Sequence, residues 1–316
     1  MKVGLAQIAP VWLDREQTVA RVEQWVRKAA EASCQLVAFG ETLIPGYPFW
    51  TEHTGGASFN DDLQKDLFAH YIDQAVVIDR GDLAPIQAAA KEHSIVVMVG
   101  CYERALDRGG HTGYCSLVTI DANGDVTNAH RKVMPTYEER LVWGIGDGHG
   151  LKVFPLGDFT VSGLNCWENW LPLLRATLHA QGSDLHVAVW PGSQRNTEDI
   201  TRFLAMEARS YILSVSGLLT RSDIPDTIPH ASLLKEKCPE TMANGGSCIA
   251  APDGTWIVSP SGPEPTLMTA ELDHAFVRRE RHNLDISGHY SRPDIVHLQI
   301  DTRRQGIVPP PESSTT

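Results

Sequence analysis

Short apolar segments alternate with longer amphipathic ones over the first two thirds of the chain, and this alternation restricts the possible folds most strongly. KVGLAQIA and QLVAFG are typical of buried strands, and the segment between them places Val19, Val22 and Val26 on one helical face. Further strands are predicted at IVVMVGCY, YCSLVTID, FTVSGLN and DLHVAVW, and further helices at about 83–93, 168–181 and 197–211. Strands that alternate with helices form parallel sheets covered by helices, so we predict an α/β fold.

Two segments depart from this alternation and resemble hairpins. SLVTIDANGDVTNAH and SCIAAPDGTWIVS each carry an Asn-Gly or Asp-Gly turn between strand-like arms. Their similarity is compatible with two halves of similar construction. Because nothing between the halves resembles a linker, we predict one domain over residues 1–302. The remainder, 303–316, is rich in Pro, Ser and Thr, and we expect it to be a disordered tail.

Charge and cysteine usage exclude several classes of function. The net charge is -12 and no Lys/Arg cluster is present, which disfavours nucleic-acid and anionic-membrane surfaces. The apolar runs are shorter than the roughly 20 residues of a membrane span, and the N-terminus lacks a signal-peptide pattern, so we expect a cytoplasmic protein. The six cysteines lack CxxC spacing and no metal or nucleotide motif is present, so we expect neither metal nor cofactor.

One cysteine occupies an unusual position. In GLNCWENWLPLLR, Cys166 lies where an apolar strand ends and a helical segment is predicted to begin. The unpaired N–H groups of a helix start would lower the pKa of the thiol and favour the thiolate, which is the nucleophile. Packing in the core is the competing interpretation. A strand–turn–helix setting favours catalysis, although no histidine stands in a cysteine-protease signature.

Two other segments place charged residues in apolar, glycine-rich surroundings. In LVAFGETLIPGYPFW, Glu41 follows an apolar strand directly, at the end where α/β sheets place functional groups. In NAHRKVMPTYEERLVWGIGDG, Lys132 ends a strand-like arm and precedes the pair Glu138 and Glu139. The carboxylate of Glu41 is then either a helix or turn cap or a buried base. The aromatic, glycine-rich setting of Lys132 and the glutamate pair is not typical of a solvated helix face.

Together these three segments resemble the nitrilase, or carbon-nitrogen hydrolase, superfamily. The order Glu41, Lys132, Cys166 is that of the family, and the likeness extends from VGLAQIAP to GHYSRPD at 288–294. HRKVMPTYEERLVWGIGDG and NCWENWLPLLR are closest to the true nitrilase branch. The resemblance implies a four-layer αββα sandwich. It also implies subunits that pair, and a tendency towards spiral or helical homo-oligomers.

The resemblance also implies roles for particular residues. Cys166 would be the nucleophile and Glu41 its base, with the pKa of that carboxylate raised towards neutrality by burial. Lys132 and the backbone N–H of Trp167 would stabilise the developing negative charge. Glu139 would orient Lys132 or assist with substrate and water, and a purely structural ion-pair anchor is the competing interpretation. The neighbouring Glu138 is the competing assignment, and Glu139 is preferred because it directly precedes Arg140, as in the family motif.

The substrate pocket follows from the same resemblance, with aromatic walls that suit an apolar substituent. The residues implied are Tyr47, Thr136, Trp167 and Trp190. Core packing is an equally good interpretation of Trp190. The leading hypothesis is a nitrilase that forms a carboxylic acid and ammonia through a cysteine-bound thioimidate and acyl-thioester. An amidase and a cyanide dihydratase are the alternatives, and a catalytically silent scaffold is disfavoured by the intact Glu41, Lys132 and Cys166.

Overall fold

The computed structural model describes residues 1–306 and contains two large sheets. The strands are β1 Lys2–Gln7, β2 Leu36–Phe39, β3 Val96–Arg104, β4 Gly113–Ile120, β5 Val126–Arg131, β6 Phe154–Leu156, β7 Phe159–Asn165, β8 Leu185–Trp190, β9 Tyr211–Ser216, β10 Leu218–Thr220, β11 Thr241–Asn244, β12 Cys248–Ala250, β13 Trp256–Val258 and β14 Thr266–Glu271. The α-helices are α1 Arg15–Glu31, α2 Trp50–His53, α3 Asp62–Asp73, α4 Ala84–His93, α5 Pro172–His179, α6 Gln194–Ala208, α7 Ala231–Lys237 and α8 His274–Arg281. Within 1–306, every helix is too short or too polar to cross a bilayer.

Each large sheet has six strands and a parallel centre. The first sheet has the order β14-β1-β2-β3-β4-β5, in which β1, β2 and β3 are parallel. The second has the order β13-β12-β9-β8-β7-β6, in which β7, β8 and β9 are parallel. The two predicted hairpins are confirmed as the antiparallel pairs β4–β5 and β12–β13.

Helices cover the outer face of both sheets. The inner faces pack on each other through aliphatic side chains such as Leu5 and Val187. The outer face of the first sheet packs on α1 and α4, whereas Leu204 of α6 packs on the second. Because the central strands are buried on both sides, they are apolar throughout instead of alternating. The predicted αββα sandwich is thus confirmed.

One predicted helix is divided in two. The sequence predicts a helix at about 168–181, but the chain first forms a 3-10 turn at Cys166–Trp170 and then α5. Pro172 causes the division because it lacks an N–H group and disfavours helical geometry in Leu171, which has φ −86° and ψ 107°. The other two helices lie within three residues of the predicted bounds.

The end of the described chain lies against the first sheet. Arg304 donates to an oxygen of Asp147 at 3.0 Å and to the carbonyl of Ala129 at 2.9 Å. The backbone N–H of Gln305 donates to the other oxygen of Asp147 at 3.0 Å. These contacts hold the start of the segment predicted to be a disordered tail. The rest of that prediction concerns 307–316, which lie outside the described residues.

Candidate active site

Cys166 lies in a sharp turn at the end of β7. Its φ of +48° is in the left-handed region, which non-glycine residues rarely adopt, and its side chain is buried. The side-chain amide of Asn169 donates to the Cys166 carbonyl at 2.8 Å, and the backbone N–H of Trp167 donates to the thiol. A cysteine held in a turn of this kind presents its sulfur at the end of the sheet, as a nucleophile requires.

Glu41 is fixed by its backbone and by one of its two carboxylate oxygens. Its N–H donates to the carbonyl of Trp190 at 3.1 Å, which joins the end of β2 to the end of β8. Its Oε1 accepts from Nζ of Lys132 at 2.8 Å and from Sγ of Cys115 at 3.5 Å. Its Oε2 is buried and has no hydrogen-bond partner among residues 1–306. That oxygen can therefore accept a proton from a reacting group.

Lys132 connects two carboxylates. Its ammonium lies 2.8 Å from Oε1 of Glu41 and 2.7 Å from Oε2 of Glu139, and its side chain is 0% exposed. The backbone N–H of Lys132 donates to the carbonyl of Cys115 at 2.7 Å, which continues the pairing of β5 with β4. The ammonium also lies 5.3 Å from the ring centroid of Trp143. Both carboxylates and the ring stabilise a positive charge at this point.

Glu139, and not Glu138, contacts Lys132. Glu139 belongs to a 3-10 turn at Tyr137–Leu141, where its Oε2 accepts from the backbone N–H of Thr136 at 2.6 Å. Its Oε1 accepts from the hydroxyl of Tyr47 at 2.9 Å. The structure thus places Glu41, Lys132, Cys166 and Glu139 together. Ligand atoms of Glu41, Glu139 and Cys166 lie within 4.8 Å of one another.

Burial determines the ionisation of the Glu41–Lys132 pair. Burial raises the pKa of Glu41 to about 7, the neighbouring Glu139 adds to the rise, and Lys132 opposes it. This agrees with the expectation from the sequence. Burial by itself would lower the pKa of Lys132, but Glu41, Cys166 and Glu139 outweigh it and hold that pKa well above its usual value. The lysine is therefore a permanent cation, and Glu41 can exchange a proton near neutral pH.

The expected lowering of the Cys166 pKa is wrong. Burial, followed by the charge of Glu41, raises the pKa of the thiol well above its usual value, although Lys132 and the Trp167 N–H act in the opposite direction. The helix expected to favour the thiolate is a five-residue 3-10 turn, which provides little dipole. A thiol with a raised pKa needs a base before it can react as a nucleophile, and the Glu41 carboxylate lies in the same cluster.

A cavity of about 280 Å³ opens beside the thiol. Three of the predicted pocket residues, Tyr47, Thr136 and Trp167, line it. Trp190 does not, because it is 0% exposed and packs under α6 in a buried cluster that also includes Cys166, with its Nε1 donating to Ser214 at 3.3 Å. The remaining lining residues were not predicted from the sequence: Phe49, Glu52, Glu138, Pro191, Gly192, Ser193, Asn196 and Met242.

Glu168 supports the site although the sequence did not single it out. Its Oε2 accepts from the backbone N–H of Asn165 at 3.0 Å and lies 3.0 Å from Nε2 of His130. Its Oε1 accepts from the backbone N–H of Val133 at 2.6 Å. One buried carboxylate thus connects the turn that carries Cys166 to the segment that carries Lys132. The Asn-x-x-Glu spacing of Asn165 and Glu168 is a capping-box signature and signals the first of these contacts, whereas the contact with Val133 has no signal in the sequence.

Three of the nine described non-glycine residues with positive φ lie at or beside the candidate site. Thr42, Tyr137 and Cys166 have φ values of +46°, +45° and +48°, and each is a functional residue or lies within two residues of one. Such a conformation costs of order 1–3 kcal/mol for each non-glycine residue. The strand β3 passes close to this backbone, since a Cβ at Gly100 would lie 2.8 Å from Cα of Glu41. Only glycine allows this approach.

The same cluster could be considered as a metal site. Glu41, Glu139 and Cys166 supply ligand atoms of suitable type and separation. The ammonium of Lys132, however, already contacts both carboxylates at hydrogen-bonding distance. The positive charge that two buried carboxylates require is therefore supplied by the chain itself.

Relatives of this chain are named as enzymes that act on nitriles or cyanide. It is 36% identical over 302 residues to "Nitrilase 2" from an unknown prokaryotic organism, covering 95% of this chain and 92% of the relative. It is 31% identical to a cyanide hydratase from Botryotinia fuckeliana, with 97% and 84% covered, and 29% identical to an aliphatic nitrilase from Sinorhizobium fredii, with 97% of each covered.

Solved structures show the same fold. An amidase from Nesterenkonia sp. AN1, with acrylamide added to its active-site cysteine, has a TM-score of 0.64 at 17% identity and covers 90% of this chain and 98% of its own. At that identity the likeness concerns the fold alone. The family model for carbon-nitrogen hydrolases matches residues 2–281. The chain therefore belongs to the carbon-nitrogen hydrolase family.

Proposed function

We propose that this protein is a nitrilase, which hydrolyses an organic nitrile to the carboxylic acid and ammonia. The observation that carries the proposal is the contact of Lys132 with both Glu41 and Glu139, 2.8 and 2.7 Å away, beside the buried thiol of Cys166. A neutral thiol, a carboxylate whose pKa lies near 7 and a fixed cation are the groups that addition to a nitrile requires.

The first step forms the carbon–sulfur bond. The free Oε2 of Glu41 accepts the thiol proton while the sulfur of Cys166 attacks the nitrile carbon. One carbon–nitrogen π bond breaks, and its electron pair moves to the nitrogen. Lys132 and the backbone N–H of Trp167 stabilise the developing charge there. Protonation of the nitrogen by Glu41 then gives the neutral thioimidate and restores the carboxylate.

The later steps consume two water molecules. Glu41 takes a proton from the first water as the water oxygen attacks the thioimidate carbon, and it passes that proton to the nitrogen. The remaining hydroxyl proton follows through Glu41 as the carbonyl forms and the carbon–nitrogen bond breaks, so the nitrogen leaves as ammonia. The product of this step is an acyl-thioester on Cys166. A second water, activated in the same way, releases the carboxylic acid and returns the thiol. The buried ammonium of Lys132 stabilises each tetrahedral intermediate without itself losing a proton.

An amidase or a cyanide dihydratase would use the same groups. The relative named as a cyanide hydratase favours a cyanide substrate, whereas the likeness to an amidase shows a shared fold and favours no substrate. Ammonia release from a nitrile, from the corresponding amide and from cyanide distinguishes the three. We expect release from the nitrile to be fastest. Faster release from the amide would make the protein an amidase, and formate from cyanide would make it a cyanide dihydratase.

The pH profile should follow the ionisation of Glu41. Because the base must be a carboxylate, and because its pKa is raised to about 7, kcat/KM should fall tenfold for each pH unit below that value. The measurement is ammonia release against pH for one nitrile, with circular dichroism to verify folding. A rate that stays constant into the usual range of glutamate pKa values would contradict the assigned base.

Replacing Glu139 by glutamine should reduce turnover about 100-fold, because Lys132 loses one of its two carboxylate partners. The charge of Glu139 raises the pKa of Glu41, so the acid limb of the pH profile should also move to lower pH. Glu31→Gln, at an exposed glutamate on α1, is the control. If circular dichroism shows that Glu139→Gln is unfolded, Glu139 is a structural anchor only.

Self-association and location also belong to the proposal. Apolar side chains remain exposed on one side of the second sheet, on the Cys166–Trp170 turn, α5 and α6: Trp167, Trp170, Leu171, Leu173, Phe203 and Met206. A patch of this kind supports pairing of subunits into dimers and larger, spiral or helical homo-oligomers. The six cysteines are free thiols, which supports the reducing environment of the cytoplasm.

A further inference from the structure

Two glutamates stand where the cavity beside Cys166 meets a second, wider cavity. The outer cavity has a volume of about 660 Å³ and lies between residues 51–58 and residues 137–141. Glu52 of α2 and Glu138 of the 3-10 turn line both cavities. We call these two residues the mouth glutamates. A molecule that reaches Cys166 from the outer cavity therefore passes these two residues.

The mouth glutamates lack the cation that balances the carboxylates deeper in the site. Among residues 1–306, no Lys, Arg or His nitrogen lies within 4.0 Å of either carboxylate. The described lining of the inner cavity contains no Lys, Arg or His. Arg140 lines the outer cavity, but its Nε donates to the carbonyl of Pro135 at 3.0 Å. Arg140 keeps its positive charge, but the two mouth glutamates outnumber this one guanidinium, so the residues that line the passage carry a net negative charge.

These carboxylates are close enough to influence one another. Partial burial raises the pKa of Glu52, and the charges of Glu138 and Glu139 raise it further. Glu52 is exposed on its outer side, so salt and water screen part of this interaction. What remains is a negative potential along the route to the thiol, focused by the low-dielectric walls of the cavity.

The walls around the passage are otherwise apolar or neutral. Tyr47, Phe49, Trp167 and Met242 supply aromatic and thioether surface on which the body of a substrate can pack. The described lining of the inner cavity offers a carboxylate-bearing substituent no cationic partner, and such a substituent would be repelled by the mouth glutamates. A protonated amine would be attracted by them. The lining thus distinguishes substituents by charge as well as by size.

We propose that the mouth glutamates, Glu52 and Glu138, select the charge class of the substrate. The favoured class is nitriles with an apolar body whose far end is neutral or carries an ammonium group, and nitriles that carry a carboxylate are disfavoured. This proposal depends on the proposed nitrilase function, since it assigns the substrate class of that same site. It also implies that the anionic product is repelled from the passage once it forms.

The test uses three aliphatic nitriles of matched length that end in an ammonium, a methyl or a carboxylate group. Ammonia release gives kcat/KM for each with the wild type, Glu52→Gln, Glu138→Gln and the double variant. The ratio of kcat/KM for the ammonium nitrile to that for the carboxylate nitrile should fall about tenfold in the double variant, as expected for two charges near a partly solvated site. Glu31→Gln should leave the ratio unchanged.

Ionic strength supplies a readout that a purely structural role would not change. Added salt should reduce the same ratio in the wild type and have little effect in the double variant, because the charges that salt screens have been removed. If the methyl nitrile is hydrolysed but the ratio responds to neither the substitutions nor salt, the mouth proposal is wrong and the proposed function stands. If none of the three nitriles releases ammonia, both are wrong. If the double variant fails to fold, the single variants and the salt series on the wild type test the mouth proposal instead.

Discussion

Replacing Cys166 by alanine should reduce nitrile hydrolysis by about four orders of magnitude or more, because Cys166 carries the only thiol among the described residues that line the cavity. Folding should be retained. The substitution removes only a sulfur from a strained turn, and the Asn169 contact to the Cys166 carbonyl does not involve the side chain. Ammonia release measures the loss, and the mass of nitrile-treated protein shows whether an adduct forms. The wild type should carry a thioimidate or acyl adduct that Cys166→Ala lacks.

The control for this prediction is another buried thiol. Cys34 packs in the cluster between α1 and the first sheet, away from the carboxylates of the site. Cys34→Ala should lower the free energy of unfolding by about 1 kcal/mol and leave turnover nearly unchanged. Full turnover by purified Cys166→Ala, or equal loss in both variants, would remove the basis for assigning Cys166 as the nucleophile.

The positions of the main functional residues could be predicted because each follows a strand directly. Glu41 comes after β2, Lys132 after β5 and Cys166 after β7, so local patterns were enough to locate them. The family resemblance indicated that these three residues act together, and the structure brings their side chains together. The layers of the fold were predictable for a similar reason, since strands buried on both faces differ in composition from amphipathic helices.

What could not be predicted depends on contacts between distant segments. The hydrogen bond from Cys115 to Glu41 joins residues 74 positions apart, and it decides which oxygen of Glu41 remains free. Trp190 was expected to line the pocket or the core. Because β8 is buried on both faces, its sequence lacks the alternation that would show where a side chain points. The structure places Trp190 in the core.

The pKa of Cys166 shows a second reason why a prediction from the sequence can be wrong. A helix start predicts a lowered pKa, and that inference requires only local structure. In the folded protein, burial and the charge of Glu41 determine the direction in which the pKa of Cys166 shifts. The sequence around Cys166 reveals neither of them. The division of the helix at Pro172 is different, because the proline was visible and its effect on the preceding residue could have been predicted.

Replacing Lys132 by methionine should reduce catalysis more than any substitution except that of Cys166, and it should also reduce stability. The side chain is similar in length but cannot stabilise the developing anion, so turnover should fall at least 100- to 1000-fold, as when a single oxyanion donor is lost. Glu41 and Glu139 would then face each other without a cation. Leaving buried charges unpaired costs of order 3–5 kcal/mol in free energy of unfolding.

The ionisation of Glu41 separates the two effects. Lys132 lowers the pKa of Glu41, so its removal should move the acid limb of any residual activity to higher pH, opposite in direction to Glu139→Gln. Urea unfolding gives the stability change, and ammonia release against pH gives the shift. Lys152→Met is the matched control, at an exposed lysine whose Nζ lies 3.2 Å from Nε2 of His149. It should change neither the free energy of unfolding nor the pH profile. A Lys132→Met protein that kept wild-type turnover would show that the ammonium does not act on the reacting nitrogen. A loss of stability with no shift in the pH profile would make Lys132 an anchor for the two glutamates and nothing more.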